Sequence, residues 1–239
     1  MVATTLNLSF HPPLPTKRLG ELKDMAQEVI IASSTLEGRV AKETAWVLGD
    51  RLRFVNSYHS NLIEGHKTTI LDIEAALRKD YSREEPKRYA QELCAAHVRT
   101  ERALMQEMLS DPPNNPCGLD FVARIHQTFY AQLPEQHQFT HHHGGFSAYS
   151  VMPGQLRDGD VSLDGGRTPH GPTAREMVRK YEEFSDLYHP AGFHGDERLI
   201  AAAASHHRMV WLHPFRDGNG RVSRLFSGLY MARIGINRG

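Results

Sequence analysis

The sequence predicts a mainly α-helical protein with one short interval of β-structure. Apolar residues recur at helical spacing through most of the 239 residues, and a composition of 40% hydrophobic and 23% charged residues is typical of a globular protein. Glycines and prolines are concentrated between residues 147 and 172, around an alternating stretch, Asp160–Asp164, that favours a strand. A glycine-containing turn at 218–220 leads into regular residues that favour a final helix.

Three helices are predicted in the first third of the chain. Apolar residues over 19–30, and again over 46–63, have the spacing of amphipathic helices. Thr69 is followed three residues later by Asp72, a pattern typical of an N-cap. It predicts a third helix that runs through Leu77.

A long helix follows Pro86 and ends at Asp111–Pro113, because consecutive prolines cannot continue a helix. The next helix covers 119–134. We treat the segment between them as a hinge-like connection, and divide the chain there into an N-terminal helical region, 1–115, and a core, 116–239. Because the chain ends soon after its last motif, we expect it to be part of a longer protein.

Two more helices precede that motif. Thr173 and Glu176 have the spacing of a capping box, which predicts a helix that continues to Leu187. The apolar spacing of Glu197–Leu212 predicts the helix that leads directly to His213.

Charge and cysteine content exclude several functional classes. Lysine plus arginine and aspartate plus glutamate both number 28, so the net charge of zero favours neither nucleic acid nor an anionic membrane as a partner. The two cysteines, Cys94 and Cys117, have no metal-ligand spacing and are expected to be reduced thiols. The N-terminus lacks a signal-peptide pattern, and no apolar run approaches the roughly 20 residues of a membrane span, so we expect a cytoplasmic protein.

The most informative stretch is residues 213–224, which reads HPFRDGNGRVSR. Its glycines let the backbone approach a ligand, and a helix that begins there directs free N–H groups and its positive dipole end at an anion. Arg221 and Arg224 are three residues apart, so both can reach one polyphosphate. Asp217 is the lone carboxylate that Mg²⁺ needs when phosphates and water supply its other ligands. His213 is suited to accept a proton from a hydroxyl near neutral pH.

This stretch resembles the signature of the Fic family, His-x-Phe-x-Asp/Glu-Gly-Asn-Gly-Arg-x-x-Arg, at every specified position. The resemblance implies a mainly α-helical Fic-fold bundle with a β-hairpin flap beside the active site. It also implies a Mg²⁺-dependent protein adenylyltransferase that moves AMP from ATP to a hydroxyl side chain of a target protein. The implied roles are catalytic base for His213, metal ligand for Asp217, phosphate binding for Gly218, Asn219, Gly220, Arg221 and Arg224, and charge stabilisation during transfer for Arg221.

Two further comparisons with the family refine this prediction. Pro153–Arg157 followed by Val161–Leu163 and Gly165 resembles the segment that leads into and forms the flap, although Leu156 replaces the usual aromatic residue. The related Doc phosphotransferases carry lysine at the position of Gly220, which argues against phosphate transfer by this chain.

Fic proteins often carry an inhibitory helix with the pattern Ser/Thr-x-x-x-Glu-Gly/Asn, and this chain matches it twice. Ser33–Gly38 fits the bare pattern. Ser60–Gly65 also matches the wider family context, Ser-x-x-Ile-Glu-Gly-x-x-x-Thr, through its isoleucine and Thr69. The resemblance therefore implies that Glu64, rather than Glu37, is the inhibitory glutamate.

The spacing of this second match also predicts how inhibition would work. Ser60 and Glu64 are four residues apart on one helix face, so we expect Ser60 to hydrogen-bond the Glu64 carboxylate and orient it. The resemblance implies that this glutamate pairs with the second arginine of the signature, here Arg224. An oriented carboxylate can form that pair in bidentate geometry and occupy the guanidinium that the γ-phosphate of ATP needs. The first match is instead typical of a helix end capped by Gly38.

Other functions stay open at this level. One is removal of AMP from a modified protein, with Glu64 positioning a water, and another is transfer from a different donor such as UTP, since the signature contacts phosphates and not the base. A locked nucleotide-binding module is the non-enzymatic alternative, which the complete catalytic set disfavours. Expected partners are a target protein with a Ser, Thr or Tyr hydroxyl or the chain itself, with no direct binding to nucleic acid or membranes. The sequence does not define the oligomeric state.

The remaining histidine clusters are not assigned to catalysis. His141–His143 carries metal-binding side chains, but adjacent residues in a polar loop do not preset ligand geometry, so we expect a solvated loop. His206 and His207 lie about two helical turns before the motif, and we expect one of them to pack or hydrogen-bond in the core.

Overall fold

The computed structural model describes residues 10–137, 139–141, 148–162 and 169–236. Within these residues the protein is mainly helical, as predicted. The helices are α1 (Leu19–Arg39), α2 (Lys42–Ile63), α3 (Ile70–Leu77), α4 (Glu85–Ser110), α5 (Leu119–Ala131), α6 (Met177–Leu187), α7 (Glu197–Leu212) and α8 (Asn219–Arg233).

Helix α8 lies at the centre of the bundle and packs against α2, α4, α5 and α7. It buries Val222, Phe226 and Leu229 among other side chains, as a helix surrounded by neighbours must. The main hydrophobic core also includes Leu93 and Leu104 of α4. This core contains side chains from both sides of the proposed division at residue 115, which stays a prediction.

Local sequence signals account for several helix ends. Thr69 caps α3 by accepting a hydrogen bond from the Asp72 backbone N–H at 3.1 Å, as predicted. Helix α4 carries Pro86 in its first turn and ends immediately before Asp111. The predicted capping box forms in part, since the Thr173 N–H donates to Oε2 of Glu176 at 3.2 Å. The residues between them form a turn, and α6 begins only at Met177.

Helix α2 buries a largely polar side and exposes most of its large apolar side chains, the reverse of a usual amphipathic helix. Its buried side is largely polar and contains Arg53, Ser57, Ser60 and Asn61 beside Phe54. Its large apolar side chains are 39–69% exposed: Trp46, Val47, Leu48, Leu52, Val55, Leu62 and Ile63. Hydrogen bonds help to hold the polar side, such as that from the Ser57 hydroxyl to the Cys94 carbonyl at 2.9 Å. Each such bond contributes about 1 kcal/mol. Phe54 and Tyr58 of α2 add apolar contacts to a small cluster with α3 and α4.

Two antiparallel strand pairs lie between α5 and α6. β1 (Phe139–His141) pairs with β2 (Ala148–Ser150), and β3 (Val161–Ser162) pairs with β4 (Pro169–His170). The first pair was not predicted. The second pair is the described part of the predicted flap, and we call it the β3–β4 hairpin.

Parts of two predictions lie outside the described residues. Leu163, Asp164 and Gly165 of the predicted flap are among them, as are His142 and His143 of the predicted histidine loop. His141 belongs to β1.

Both cysteines are free and buried, in agreement with the prediction of reduced thiols. Burial raises the pKa of Cys94 to about 11, so this thiol stays protonated and unreactive at neutral pH. Across the described part of the chain, no helix is both long enough and apolar enough to cross a membrane.

Candidate active site

The turn between α7 and α8 has two residues in the left-handed backbone region. His213 ends α7 with φ 48° and ψ 59°, and Gly218 precedes α8 with φ 75°. A residue with a side chain pays about 1–2 kcal/mol for that conformation, so surrounding contacts must hold His213 there.

Arg157 supplies these contacts. It is 3% exposed, and its Nε donates to the His213 carbonyl at 2.8 Å. Its backbone N–H donates to the Pro214 carbonyl at 2.9 Å, and its Nη1 donates to the Gly159 carbonyl at 2.8 Å. Arg157 therefore joins the segment before β3 to the turn that carries His213.

The ring of His213 lies beside the β3–β4 hairpin, where the flap was predicted. The centroid of the His170 ring in β4 is 5.3 Å from that of His213. The Nδ1 of His213 is buried and has no hydrogen-bond partner among the described residues. Burial, with smaller effects from His170 and Arg157, lowers the pKa of His213 to about 4. The imidazole is therefore neutral at physiological pH and can accept a proton.

Asp217 lies one turn from His213 and is held by two side chains. The Tyr130 hydroxyl donates to Oδ2 at 2.7 Å, and Nη2 of Arg221 approaches the same oxygen at 3.4 Å. Burial alone would raise the pKa of Asp217, but Arg221 and hydrogen bonds from Tyr130 and the Gly218 backbone outweigh it, so the pKa is lowered. The carboxylate is therefore ionised.

This carboxylate fits a magnesium site of the kind predicted. The Asp217 side chain is 41% exposed, so a cation can reach it. Within the described residues, no three His, Cys, Asp or Glu side chains gather into a metal-binding group. The arrangement suits a cation that takes one protein carboxylate and completes its shell with substrate phosphates and water.

The residues at the start of α8 form a tight cradle. A Cβ at Gly218 would lie 2.9 Å from the Tyr130 ring, so both space and its positive φ require glycine. The Asn219 side chain closes the turn, since its Oδ1 accepts from the Phe215 N–H at 2.9 Å and its Nδ2 donates to the Phe215 carbonyl at 2.8 Å. Asn219 shapes the cradle through these bonds, and its direct contact with phosphate stays a prediction.

Arg221 and Arg224 extend from the first turns of α8. Arg221 is 5% exposed, its guanidinium lies 5.2 Å from the Phe129 ring centroid, and its Nε has no hydrogen-bond partner among the described residues. A buried guanidinium with an unused donor suits an anionic ligand.

Arg224 is held by α2. Its Nη2 donates to Oε1 of Glu64 at 2.5 Å and to the Ser60 carbonyl at 3.1 Å, and its Nε donates to Oγ of Ser60 at 2.9 Å. The geometry differs from the prediction in two respects. Ser60 contacts the guanidinium directly, where we expected it to orient the glutamate, and Glu64 pairs through one oxygen instead of two.

The end of α2 sets the position of Glu64. Gly65, with φ 88°, donates its N–H to the Leu62 carbonyl, and the His66 N–H donates to the Asn61 carbonyl, both at 2.9 Å. These two bonds form a Schellman motif, which closes the helix on a left-handed glycine. Glu64 is thereby placed immediately after the last helical residue, facing α8.

A family comparison identifies the domain that this site belongs to. The Fic/DOC family model matches residues 116–231, which include α5 to α7, most of α8 and the whole signature. Residues 116–231 therefore form a Fic/DOC domain.

Relatives and solved structures agree with this assignment. Proteins named protein adenylyltransferase Fic from Drosophila virilis and Drosophila ananassae are each 34% identical over 86 residues, or 36% of this chain. The chain spans only 17% and 16% of their lengths. Fic-1 from C. elegans, residues 134–508, has a TM-score of 0.70 at 20% identity and covers 91% of this chain, which covers 59% of that structure. A Fic family protein from Desulfovibrio desulfuricans G20 has a TM-score of 0.60 over 95% of this chain and 60% of its own. The structural likeness shows a shared Fic fold.

Three residues of this Fic site were not predicted to contribute: His126, Tyr130 and Arg157. The Nδ1 of His126 accepts from the Gly154 N–H at 2.8 Å, so Nε2 carries the proton and donates to the Asp217 carbonyl at 3.3 Å. The His126 ring also stacks on Phe215 with centroids 4.1 Å apart. Arg157 was placed in the flap segment without a role, and no sequence spacing linked the other two residues to the signature.

The other inhibitory candidate lies elsewhere in the Fic protein. Glu37 is an exposed residue of α1 in a groove that is also lined by Leu36, Trp46 and Leu48. Of the two helical histidines, His206 hydrogen-bonds through Nδ1 to the Ser227 hydroxyl at 2.7 Å, in agreement with a packing role.

The buried histidines predict acid-sensitive folding of this Fic protein. Burial is the largest cause that lowers the pKa of His97 to about 3 and of His126 to about 4. Both are neutral when folded, whereas in the unfolded chain they bind a proton near pH 6.5, so stability falls as pH drops from about 6.5 towards 4. We expect each histidine to lower the free energy of unfolding by up to about 1.4 kcal/mol per pH unit in that window.

Urea unfolding at pH 7.5, 6 and 5 measures this loss. His126→Gln removes one of the groups that titrate in this window and should flatten the decline below pH 6, even if it lowers stability at pH 7.5. Equal stability at pH 7.5 and 5 in the unsubstituted protein would contradict the assignment.

Proposed function

We propose that this Fic protein transfers AMP from ATP to a hydroxyl side chain of a protein, and that Glu64 restrains the transfer. One observation carries the proposal: a neutral His213 and an ionised Asp217 share one turn that opens into the N-terminus of α8. That arrangement places a proton acceptor beside a site for anions. The names of the relatives support the same reaction.

In the proposed reaction, His213 takes the proton of the attacking hydroxyl. The hydroxyl oxygen bonds to the α-phosphorus of ATP, and the bond to the pyrophosphate oxygen breaks. Backbone N–H groups at the start of α8, together with Arg221, stabilise the charge on the phosphates. Asp217 would hold a magnesium ion that neutralises phosphate charge.

The restraint follows from competition for Arg224. Its guanidinium already donates to Glu64 and Ser60 of α2. In the family pattern this arginine binds the γ-phosphate, so ATP must displace Glu64 to reach it. We therefore propose that the protein shown by the structure is the restrained form.

The decisive experiment is intact-mass analysis after incubation with ATP, CTP, GTP or UTP and Mg²⁺, using the unsubstituted protein and Glu64→Gly. We expect Glu64→Gly to gain the mass of AMP from ATP. A gain of UMP instead would replace the proposed donor. Release of AMP from a modified substrate, without any gain, would reverse the proposed direction, and nucleotide binding with neither result would indicate a binding module.

Gly220 offers a test of the restraint in which Glu64 and Arg224 are not themselves substituted. Gly220 lies in the first turn of α8, and a Cβ there would overlap Oε1 of Glu64. Alanine is compatible with the helix, so the flexible glutamate must move away. We expect Gly220→Ala to raise AMP transfer, measured with labelled ATP.

Gly228→Ala is the matched control, because this other glycine of α8 has open space around its Cβ position. It should leave transfer unchanged. In a Glu64→Gly background, Gly220→Ala should produce no further rise. A fall in that background would show that the added methyl group also obstructs the phosphates, and an unchanged rate in Gly220→Ala alone would contradict the steric argument.

A further inference from the structure

Tyr130 makes the shortest polar contact to Asp217 yet lies outside the Fic signature. It is in α5, is 1% exposed, and donates its hydroxyl to Oδ2 at 2.7 Å. The other side chain on that oxygen, Arg221, is further away at 3.4 Å. Tyr130 therefore holds Oδ2 more closely than the signature arginine does.

The Tyr130 ring is itself held in place. Its centroid lies 4.5 Å from that of His126 and 5.4 Å from that of Phe129. Gly218 passes so close that a Cβ there would lie 2.9 Å from the Tyr130 ring. Because these contacts fix the ring, the Tyr130 hydroxyl has a fixed position. Its hydrogen bond therefore gives the Asp217 carboxylate a defined orientation.

The side chains of Tyr130 and Arg221 are not equivalent partners of Asp217 once nucleotide binds. In the proposed function Arg221 donates to phosphate, so its long contact with Asp217 weakens. Tyr130 is not among the predicted phosphate ligands, and its hydroxyl continues to donate to Oδ2. The exposed part of the carboxylate then remains for the cation.

We propose that Tyr130 is a positioning residue that sets the Asp217 carboxylate for magnesium when nucleotide is bound. The proposal rests on the proposed function in taking Asp217 as the metal ligand and Arg221 as a phosphate ligand. Partners that orient a metal ligand typically contribute 10- to 100-fold to metal affinity. For a single neutral hydroxyl we expect the lower end of that range.

Calorimetric titration with ADP, with and without Mg²⁺, tests this proposal. ADP lacks the γ-phosphate and so avoids competition with Glu64 for Arg224. The quantity compared is the ratio of ADP affinities with and without Mg²⁺. Tyr130→Phe keeps the packed ring, and we expect it to reduce this ratio about 10-fold while ADP affinity without Mg²⁺ stays the same.

Two further variants make the result specific. Tyr230→Phe is the matched control, because Tyr230 is equally buried and its hydroxyl donates to the Tyr188 carbonyl at 2.9 Å in the core. It should keep the full ratio. In Asp217→Asn, Mg²⁺ should no longer change the affinity for ADP.

An undiminished ratio in Tyr130→Phe overturns the proposal. Equal losses in Tyr130→Phe and Tyr230→Phe also overturn it, since they would show general loosening of the fold. If Asp217→Asn retains the ratio, the metal role of Asp217 falls together with this inference. Failure of AMP transfer in the intact-mass experiment, with the ADP ratios as expected, would instead reject only the proposed reaction.

Discussion

His213→Ala is expected to abolish AMP transfer while nucleotide still binds. The pKa of His213, lowered to about 4 by burial, keeps the imidazole neutral and available to take the hydroxyl proton. Loss of a general base typically slows a reaction by about 10²- to 10⁴-fold. The affinity for nucleotide should change little, because the N-terminus of α8, Arg221 and Arg224 supply it.

Turnover is measured by labelled-ATP incorporation in a Glu64→Gly background, and binding by calorimetry with ADP. His170→Ala is the control, since this neighbouring ring lies 5.3 Å from His213 but on the hairpin. It should reduce turnover far less. Turnover of His213→Ala at the rate of its parent would remove His213 from the mechanism, and loss of ADP binding would show that the substitution disrupts the cradle.

The helices that carry strong local signals were predictable from the sequence. Pro86 and the prolines at 112 and 113 bracket α4, and Thr69 caps α3, because these effects act within one turn. The signature was equally readable, since its residues lie on one turn and the helix that follows. Local chemistry therefore accounts for these helices and for the part of the site that lies in the signature.

The orientation of α2 was not predictable in the same way. Apolar spacing reveals a helix but not which side meets the protein. Here Arg53, Ser57 and Asn61 face inward, while Leu48 and Leu52 face outward. Polar neighbours on α4 and α8, which only the tertiary structure brings close, accept this inverted side.

The supporting residues of the site were missed for a related reason. Tyr130 is 87 residues from Asp217 along the chain, and the Nε contact of Arg157 spans 56 residues to His213. No short pattern relates residues so far apart. The same limit applies to Ser60, whose bond to Arg224 spans 164 residues, so spacing within α2 suggested a bond to Glu64 instead.

Glu64→Gly should raise AMP transfer by about 10- to 100-fold, whereas Glu37→Gly should leave it unchanged. The reason is the contact between Oε1 of Glu64 and Nη2 of Arg224 at 2.5 Å. The two side chains are only 32% and 26% exposed, so solvent screens the pair incompletely. A hydrogen bond to a charged partner contributes about 1.5–3 kcal/mol, and each 1.4 kcal/mol corresponds to a tenfold change in an equilibrium.

The substitution itself should disturb the fold little. Glu64 lies just after the last residue of α2, where glycine is tolerated, and the Schellman bonds of Gly65 and His66 use backbone groups alone. Glu64→Gln tests charge separately from size, and we expect it to activate partially because the amide oxygen can still accept from Arg224. Glu37 lies in the groove between α1 and α2, so its loss leaves Arg224 engaged.

The double variant Glu64→Gly with Arg224→Ala tests whether Glu64 restrains transfer through Arg224. If Glu64 acts by occupying that guanidinium, its removal helps only while Arg224 is present to bind the γ-phosphate. Transfer by the double variant should therefore fall back towards the level of the unsubstituted protein. Labelled-ATP incorporation by the five proteins measures these effects under one condition. Activation by Glu37→Gly instead of Glu64→Gly would place the inhibitory contact on α1, and full activity of the double variant would show that Glu64 restrains transfer by a route other than Arg224.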